Sequence, residues 1–564
     1  MGFLQGVALC IGPVARVSIT GHLGTNSDNK VMQRIATPIV LATLNAKYIH
    51  ASLGLRYLLA NMDKHGGAGL RAKTQLREFV IQQRPTQIVE ELLALQPQVI
   101  GLGIYIWNVV ETTQVVRLLK TLRPDIKVVL GGPEVSFETD SQEICRLADH
   151  VVTGWGDVSF PKLCRALLDG PKPLMKVIAG EQPALGTLVL PYKEYTAEDL
   201  AKRLLYVEAS RGCPFKCEFC LSSLDKTAWA FELDIFMAEM DALYQRGARN
   251  FKFVDRTFNL KVDFSVRILQ FFLDRIQTTP DIFVHFEVVP DSLPDRLKVL
   301  IAQFPAGSLQ FEVGIQSFNP EVQQRISRKQ DNNKTADNLR WLVNQSQAHV
   351  HADLIFGLPG ETLESFAQGF DRLYELAPHE IQFGILKRLR GTPITRHTAD
   401  FAMAYDPQTP YTILQNSTID FVTMQRINRF ARYWEMVANS GRFSAALKLL
   451  LEPGSAFQHF LDFSDWLWHS TGKTHEFALE KLVDLLFEHL TLVRGLGAGD
   501  VRVALLADYR ASGARGRPHC LAELLSAERI ASPAASGKLR AERQGRHVSQ
   551  QVHRDEIQKA AAAA

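Results

Sequence analysis

The sequence predicts an α/β protein built from a flavodoxin-like (Rossmann-type) domain, a partial (β/α)6 TIM-type barrel and a helical C-terminal domain. Apolar Val/Ile/Leu runs alternate with helical segments, first over residues 36–172 and then, with a different rhythm, over residues 201–400. The pattern then changes to helices rich in Phe, Trp and Leu over residues 401–510. Continuous apolar strands separated by helices indicate parallel sheets that are covered on both faces.

The first alternation holds five strand candidates. They are residues 38–44, 75–81, 99–106, 127–132 and 150–154. Five strands with helices between them suit a doubly wound sheet, in which ligands bind beyond the C-terminal ends of the strands. A proline-dotted linker follows over residues 173–200.

The second alternation holds six strand candidates. They are residues 204–210, 250–258, 282–290, 308–316, 349–359 and 380–389. Six β/α units are too few for a complete eight-fold barrel and fit a partial one, with chemistry at the C-terminal strand ends. The motif LRGTPI (389–394) is interpreted as the end of the sixth strand. Residues 511–564, rich in Ala, Arg, Ser and Gly, are predicted to be a disordered tail.

Length and composition are those of a multidomain protein. The chain has 564 residues, of which 46% are hydrophobic and 22% charged, with a formal net charge of +3. A chain of this length exceeds what one hydrophobic core supports. No apolar run approaches the roughly 20 residues that span a bilayer. We therefore expect neither a membrane nor a nucleic-acid partner.

The N-terminus and the cysteine usage favour a cytoplasmic protein. Residues 1–35 are predicted to be an N-terminal extension, and they lack the positively charged region that opens a secretory signal. The seven cysteines are an odd number and are not spaced like a disulfide framework. Such usage is typical of a reducing compartment, where clustered thiols indicate metal binding or catalysis.

Three cysteines follow the first barrel strand in the spacing C-x3-C-x2-C: Cys213, Cys217 and Cys220. A closed structural zinc site needs four ligands, and the next cysteine along the chain is Cys520. The alternatives are zinc with a distant fourth ligand, accidental buried thiols, and a cubane iron–sulfur cluster with one iron left open.

This spacing after the first strand of a partial β/α barrel resembles the radical S-adenosylmethionine (SAM) superfamily, over roughly residues 203–390. The resemblance implies a 4Fe-4S cluster on the three cysteines, whose open iron binds SAM. It implies electron transfer into SAM that releases a 5′-deoxyadenosyl radical. It also implies a reductant such as flavodoxin or ferredoxin.

Polar residues at the later strand ends match a pattern shared with coproporphyrinogen-dehydrogenase-like radical enzymes. The resemblance implies SAM contacts, with an aromatic near the adenine, from Phe219, Asp255, Glu287, Gln316, Ser317, Arg328 and Asp353. Burying such a side chain unpaired costs about a few kcal/mol. The alternative for each polar residue is therefore a structural salt bridge or a position on the rim, and the alternative for Phe219 is plain packing within its loop.

The first domain, ahead of such a barrel, resembles the cobalamin-dependent radical SAM class. The local matches are GLGIYIWN (101–108), LGGPEVSFE (130–138) and TGWGDVSFPKL (153–163). The resemblance implies cobalamin contacts from Gly131, Gly132, Pro133, Glu134, Gly154 and Gly156. It also implies that Tyr105, Trp107 or Asn108 packs at the lower face of the corrin.

His50 is not expected to ligate cobalt. In the D-x-H-x-x-G motif of cobalamin mutases an aspartate lies two residues before the histidine, which His50 lacks, and Gly54 lies one residue too far along. An NAD or flavin site is the alternative for this domain, although the first βα turn lacks the G-x-G-x-x-G pattern of NAD sites. Another alternative is that this domain no longer binds cobalamin.

The layout predicts a cobalamin-dependent radical SAM methyltransferase acting on an unactivated carbon of an unidentified small molecule or peptide. One alternative keeps both cofactors but rearranges, cyclises or oxidises its substrate without methyl transfer. The other is a non-catalytic iron–sulfur and cobalamin sensor. The helices of residues 410–495 are expected to help close the substrate pocket.

Overall fold

The computed structural model describes residues 37–225 and 228–526. The predicted N-terminal extension, residues 1–35, lies outside the described residues, as do residues 527–564 of the predicted tail.

The first domain is a parallel six-stranded sheet in the order β2-β1-β3-β4-β5-β6. Its strands are β1 (Ile39–Asn45), β2 (Thr74–Val80), β3 (Val99–Gly103), β4 (Lys127–Gly131), β5 (His150–Thr153) and β6 (Val177–Ala179). Its helices are α1 (Leu53–Gly66), α2 (Pro85–Ala94), α3 (Val109–Leu122), α4 (Glu143–Leu147) and α5 (Ser159–Asp169). The order 2-1-3-4-5 is that of flavodoxin-like sheets, which bind ligands where the order switches between β1 and β3. The edge strand β6 lies inside the segment that the sequence assigns to a linker.

Helices cover both faces of this sheet. The buried apolar side chains of α1 and α5 pack on one face, and those of α2, α3 and α4 pack on the other. Every residue of β1, which reads IVLATLN, is buried. Burial on both sides explains why the strands are continuous apolar runs with no alternation.

The linker leads into the second sheet through the short helix α6 (Ala197–Lys202). Thr196 and Asp199 form a capping box at the start of α6. Tyr192 and Tyr195 are fully buried in the core that also fills the second domain. The second half of the linker, from Leu185 onward, therefore packs into this core.

The second domain is a parallel six-stranded sheet in the order β7-β10-β11-β12-β13-β14. Its strands are β7 (Leu205–Val207), β10 (Asn250–Phe253), β11 (Phe283–Val288), β12 (Leu309–Gln316), β13 (His349–Phe356) and β14 (Glu380–Ile385), with a ribbon of β8 (Ser210–Arg211) and β9 (Trp229–Ala230) beside β7. Its helices are α7 (Leu233–Gln245), α8 (Val262–Ile276), α9 (Asp295–Ile301), α10 (Pro320–Arg325), α11 (Asn332–Gln345) and α12 (Leu363–Glu375). The sixth strand ends at Ile385, so the LRGTPI motif lies in the segment after it.

The two faces of the barrel strands differ in polarity. Phe251, Phe253 and Phe286 belong to the buried aromatic core. The residues between them in sequence are polar, such as Lys252 and His285. Because side chains alternate along a strand, these polar residues face the barrel interior, where the cavities lie.

The C-terminal region combines a short hairpin with helices. The hairpin pairs β15 (Ala404–Tyr405) with β16 (Ile413–Gln415). The helices are α13 (Phe421–Val437), α14 (Ser444–Leu451), α15 (Ala456–Thr471), α16 (Leu479–Glu488), α17 (Ala498–Ala511) and α18 (Ala522–Ser526). Trp434 is buried and donates a hydrogen bond to the Ile381 carbonyl at 3.0 Å. The region therefore continues the core of the barrel.

The start of the predicted disordered tail is wrong. Residues 512–526 pack on the preceding helices, with Leu521 fully buried, and the Cys520 amide donates to Asp484 at 2.8 Å. A buried leucine and a satisfied amide hold this segment, which has no helical periodicity to reveal it. Among the described helices, none combines the length and the apolar character needed to cross a membrane.

Candidate functional site

The three motif cysteines line one cavity at the C-terminal end of the barrel strands. Cys213 and Cys217 are each 8% exposed, and Cys220 is half-buried. The cavity beside them measures about 240 Å³, and we call it the cluster cavity. All three thiols are free, and burial raises the pKa of the Cys213 and Cys217 thiols.

The donor set fits a cubane cluster better than a single zinc ion. Zinc needs ligands converging tetrahedrally at about 2.0–2.3 Å. Within residues 37–225 and 228–526, no three His, Cys, Asp or Glu side chains converge closely enough to hold one ion. Three thiols spread around one cavity match the ligand set of an iron–sulfur cluster with an open position.

Five of the residues predicted to contact SAM line the cluster cavity. They are Phe219, Glu287, Gln316, Arg328 and Asp353. The set mixes carboxylates, a guanidinium, an amide and an aromatic ring, which suits a zwitterionic ligand with an aromatic base. Arg328 also places Nη1 3.6 Å from the Cys217 sulfur.

Gln316 occupies an unusual backbone conformation at the end of β12. Its φ is +70°, in the left-handed region, and the pairing with β13 shifts register between Gly314 and Gln316. Bulges of this kind re-aim side chains and are common beside active sites. Gln316 thus follows Gly314 along the cavity wall.

Asp255 is not among the residues that line the cluster cavity. It is 3% exposed, and its carboxylate accepts hydrogen bonds from the Ala209 amide at 2.9 Å and the Ser210 hydroxyl at 2.5 Å. Burial raises the pKa of Asp255 to about 7. Its side chain thus fixes the backbone that leads into the cysteine loop.

Ser317 is also absent from the cavity lining. It is buried, donates to Glu361 at 2.5 Å and accepts from the Asn319 amide at 3.0 Å. Asn319 caps α10. Through these two hydrogen bonds Ser317 anchors the turn after β12. Its side chain forms no part of the cavity wall.

The Ser317 partner Glu361 gives a prediction about stability. Burial raises the pKa of Glu361 from 4.5 to about 7, so the native state keeps a proton that the unfolded chain releases. The free energy of unfolding should therefore fall as pH rises from about 4.5 to 7, by roughly 3 kcal/mol from this group. Glu361→Gln should remove this part of the pH dependence, as measured by urea unfolding between pH 4.5 and 8. The exposed Glu364→Gln variant is the control, and equal pH profiles for the two variants would contradict the assignment.

Sequence reasoning missed four charged residues of the cluster cavity: Arg256, Asp291, Glu312 and Lys329. Glu312 could have been predicted from the sequence. It shares one face of β12 with Gln310, Gly314 and Gln316, because side chains alternate along a strand. Lys252 lies 3.4 Å from the Glu312 carboxylate. Arg256 follows Asp255 at the end of β10, and no pattern in the sequence distinguishes which of the two faces the cavity.

A second cavity, of about 460 Å³, lies beyond the C-terminal ends of β3, β4 and β5. We call it the glycine cavity, because its wall includes Gly101, Gly103, Gly131, Gly132, Gly154 and Gly156. Tyr105 also lines it. Leu53 and Gly54 at the start of α1, the helix after β1, line it as well, so the cavity extends to the switch between β1 and β3 at which such sheets bind ligands.

The glycines of this cavity leave room for a bulky ligand. A Cβ at Gly154 would meet no atom within 4 Å, and one at Gly131 would meet only the Val152 carbonyl at 3.7 Å. Gly132 has φ +108°, and a Cβ there would approach the Ile104 carbonyl oxygen to 2.5 Å. The cradle is therefore open on the ligand side and tightly packed on the sheet side, as a cobalamin site requires.

Four residues predicted to contact cobalamin do not line the glycine cavity. They are Trp107, Asn108, Pro133 and Glu134. The Asn108 side chain is fully buried and bonds the Tyr105 amide and the Leu44 carbonyl. Trp107 stacks on Tyr105 at 4.4 Å.

The remaining two residues of this set fix the loop after β4. Pro133 opens a short 3-10 turn, and Glu134 is 4% exposed and paired with Arg390 at 2.9 Å. Their positions in the loop are close to the cavity, but their side chains stabilise the loop itself.

Arg211 lines the glycine cavity and directly precedes the cysteine loop in sequence. Its guanidinium bonds Asp157 at 2.8 Å and Glu208 at 2.7 Å, and it lies 4.3 Å from the centre of the Tyr57 ring. All four residues line the glycine cavity. His50, by contrast, lies outside this lining and contacts the Tyr206 hydroxyl at 2.7 Å.

The two cavities meet at Arg256, which lines both. Its Nη1 donates to both carboxylate oxygens of Glu287, at 2.7 and 2.8 Å. The residues that line the two cavities all lie between 53 and 353. No residue of 410–495 lines either cavity, and the expectation that the helices of this region help close the substrate pocket stays a prediction.

Family models match the chain in three consecutive parts. Residues 39–164 match the B12 binding domain, residues 207–373 the radical SAM superfamily, and residues 399–562 a family of proteins of unknown function (DUF4080). The first two matches cover the two cavities.

Curated relatives match at low identity. An uncharacterized methyltransferase of Pyrococcus horikoshii is 26% identical, over 54% of this chain and 70% of the relative. The cobalamin-dependent radical SAM methyltransferase TokK of Streptomyces tokunonensis is 26% identical, over 58% of this chain. The match spans only about half, 51%, of the length of TokK.

Among solved structures, the cobalamin-dependent SAM radical enzyme OxsB, with aqua-cobalamin and SAM bound, has the same fold. The TM-score is 0.59 at 13% identity, over 92% of this chain and 84% of OxsB. The likeness confirms the predicted fold class: a Rossmann-like domain, a partial barrel and a helical C-terminal region.

Proposed function

Because this chain is a radical SAM protein with an N-terminal B12-binding domain, we propose that it is a methyltransferase acting on an unactivated carbon. Its cofactors are a 4Fe-4S cluster, SAM and cobalamin. The observation that carries the proposal is the shared wall at Arg256, which brings the cluster cavity and the glycine cavity together. A substrate at this wall would be within reach of both cofactors.

The residues that would hold the cofactors fall into two sets, one in each cavity. Cys213, Cys217 and Cys220 would hold the cluster, and the polar residues of the cluster cavity would hold SAM. The glycine cradle, with Tyr105, would hold the cobalamin. When bound, the cluster supplies the electron that splits SAM, and methylated cobalamin supplies the methyl group.

The protein contributes positioning and charge. Arg256 lines both cavities and, held by its pair with Glu287, would orient polar groups of the substrate there. Arg211 would hold the glycine-cavity wall against the cysteine loop. Holding reactants in a fixed geometry supplies a large part of the rate gain in such reactions.

The names of the relatives support methyl transfer over other radical chemistry. Both curated relatives described above are called methyltransferases. A rearrangement, cyclisation or oxidation without methyl transfer, and a non-catalytic sensor, remain the outcomes that the experiment has to separate.

The test is anaerobic incubation of the reconstituted full chain with SAM, a reductant, hydroxocobalamin and cell extract as a source of substrate. We expect both 5′-deoxyadenosine and S-adenosylhomocysteine, because one SAM is cleaved and a second restores the methyl group. 5′-Deoxyadenosine without S-adenosylhomocysteine, when cell extract is added as a substrate source, would contradict methyl transfer. Absence of both products would contradict an enzyme of either kind.

A further inference from the structure

The segment after β14 contacts loops of both cofactor cavities. We call residues 388–397 the strap, residues 132–138 the corrin loop and residues 212–220 the cluster loop. Gly132 of the corrin loop lines the glycine cavity, and the three cysteines of the cluster loop line the cluster cavity. The strap lines neither cavity.

One end of the strap is bound to the corrin loop by ion pairs. Arg390 donates to Glu134 at 2.9 Å and to Glu138 at 2.8 Å, and Arg388 donates to Glu138 at 2.9 Å. Arg390 and Glu134 lie 256 positions apart in sequence. Tyr411 adds a hydrogen bond from its hydroxyl to Glu134 at 2.6 Å. The Glu134 side chain is 3% exposed, so its charge depends on these partners.

Phe137 of the corrin loop reinforces this contact. A Cβ at Gly391 would lie 2.4 Å from the Phe137 ring, and Gly391 has φ +80°. Only glycine fits both the backbone conformation and the close approach of the ring.

The other end of the strap is bound to the cluster loop through Glu218, the residue after Cys217. The Ile394 amide donates to the Glu218 carbonyl at 2.9 Å. The Glu218 carboxylate is 2% exposed, and it contacts His397 Nε2 at 2.8 Å and the Arg396 guanidinium. Ser327 donates to the same carboxylate at 2.6 Å.

Hydrogen bonds and buried side chains also hold the strap between its two ends. Arg388 donates its amide to the Tyr411 carbonyl at 3.0 Å. Ile394 is fully buried and Thr392 is 2% exposed, with its hydroxyl donating to the Leu389 carbonyl at 2.6 Å. From Arg390 to Ile394 the chain spans at most about 14 Å. A short, partly buried segment therefore connects the two loops.

We propose that the strap fixes the separation of the cluster from the cobalamin, with Arg390 and Glu218 as positioning residues. The proposal rests on the proposed function only in that both cofactors occupy their cavities. Paired buried charges are weak evidence for stability but specify geometry, because an alternative arrangement would leave a carboxylate unpaired. Displacement of reacting groups by about 1 Å can cost about a hundredfold in rate.

The first test measures binding at each end. Arg390→Met should raise the Kd for hydroxocobalamin about tenfold, since a buried charge-assisted hydrogen bond is lost, with iron content unchanged. Glu218→Gln should lower iron retention against a chelator without changing the cobalamin Kd in cluster-free protein. Tyr411→Phe is a milder variant in case Arg390→Met fails to fold. Arg426→Met, which breaks the Arg426–Asp465 pair between α13 and α15, is the matched control.

The second test measures the separation itself. In the reconstituted full chain, the dipolar coupling between the reduced cluster and cob(II)alamin reports their distance by electron paramagnetic resonance. A single distance is expected in the unmodified protein and in Arg426→Met, and a broadened distribution in Arg390→Met and Glu218→Gln. A merely structural role would lower the thermal midpoint without broadening this distribution.

The results of these two tests do not depend on whether the protein transfers a methyl group. Distance distributions equally narrow in all four proteins, or a cobalamin Kd in Arg390→Met equal to that of Arg426→Met, would overturn the strap proposal. Broadening with no S-adenosylhomocysteine formed by the unmodified protein would retain the strap and reject the methyltransferase.

Discussion

Replacement of Cys217 by alanine is expected to abolish cluster binding and to lower reductive cleavage of SAM by at least about a thousandfold, or roughly 4 kcal/mol in the barrier. Three thiolates hold three irons of such a cluster, and all three motif cysteines line the cluster cavity, so the loss of one leaves an iron without its thiolate. Cys217 is also the cysteine that Arg328 approaches at 3.6 Å.

The measurement is iron and sulfide content, the visible absorption of the reconstituted protein and the yield of 5′-deoxyadenosine. Cys520→Ala is the matched control, because Cys520 is a half-buried free thiol of the C-terminal region, outside both cavities. We expect this control to bind a full cluster. Normal iron content in Cys217→Ala, with SAM cleavage retained, would contradict the cluster assignment to the three cysteines.

The parts of the site that sequence alone predicted are those encoded locally. The three cysteines lie within one loop, so their spacing carries the ligand set without knowledge of the fold. Glu287, Gln316 and Asp353 lie on strands whose C-terminal ends meet at one edge of a parallel sheet. The strand pattern therefore brings them together once the sheet is predicted.

Orientation at the ends of strands was not predictable in the same way. Asp255 and Arg256 are neighbours just beyond β10, and a shift of one residue exchanges which of them faces the interior. The Asp255 carboxylate accepts hydrogen bonds from Ala209 and Ser210, and these fix the register of the turn. In this register Arg256 is the residue that faces the cavity. Such bonds join residues distant in sequence and leave no local signal.

Around the glycine cavity, too, the sequence predicted some residues correctly and not others. Glycines at the βα turns predicted the cavity, because a missing side chain is visible in the sequence. Asn108 and Glu134 belong to the same turns, but their side chains hold the loops through Leu44 and Arg390. The partner Arg390 belongs to the barrel domain, and sequence periodicity carries no information about such a contact.

A bulky side chain at position 131 is expected to block cobalamin binding in the glycine cavity without affecting the iron–sulfur cluster. Gly131 ends β4 and lines the cavity, and a Cβ there meets only the Val152 carbonyl at 3.7 Å. Gly131→Ala should therefore fold and bind cobalamin within about threefold of the unmodified protein. Gly131→Phe has the same backbone requirement but must place its ring in the cavity of about 460 Å³, and its cobalamin affinity should fall at least about a hundredfold.

The two Gly131 variants also test whether methyl transfer depends on this cavity. The cysteine loop is untouched, so both variants should bind a full cluster and give 5′-deoxyadenosine from SAM. S-adenosylhomocysteine should disappear in Gly131→Phe alone, because the methyl carrier has no site. Cobalamin bound stoichiometrically by Gly131→Phe would contradict the glycine cavity as its site. Undiminished S-adenosylhomocysteine from a cobalamin-free Gly131→Phe protein would instead place the methyl donor outside this cavity, since only the cofactor held there distinguishes the two variants.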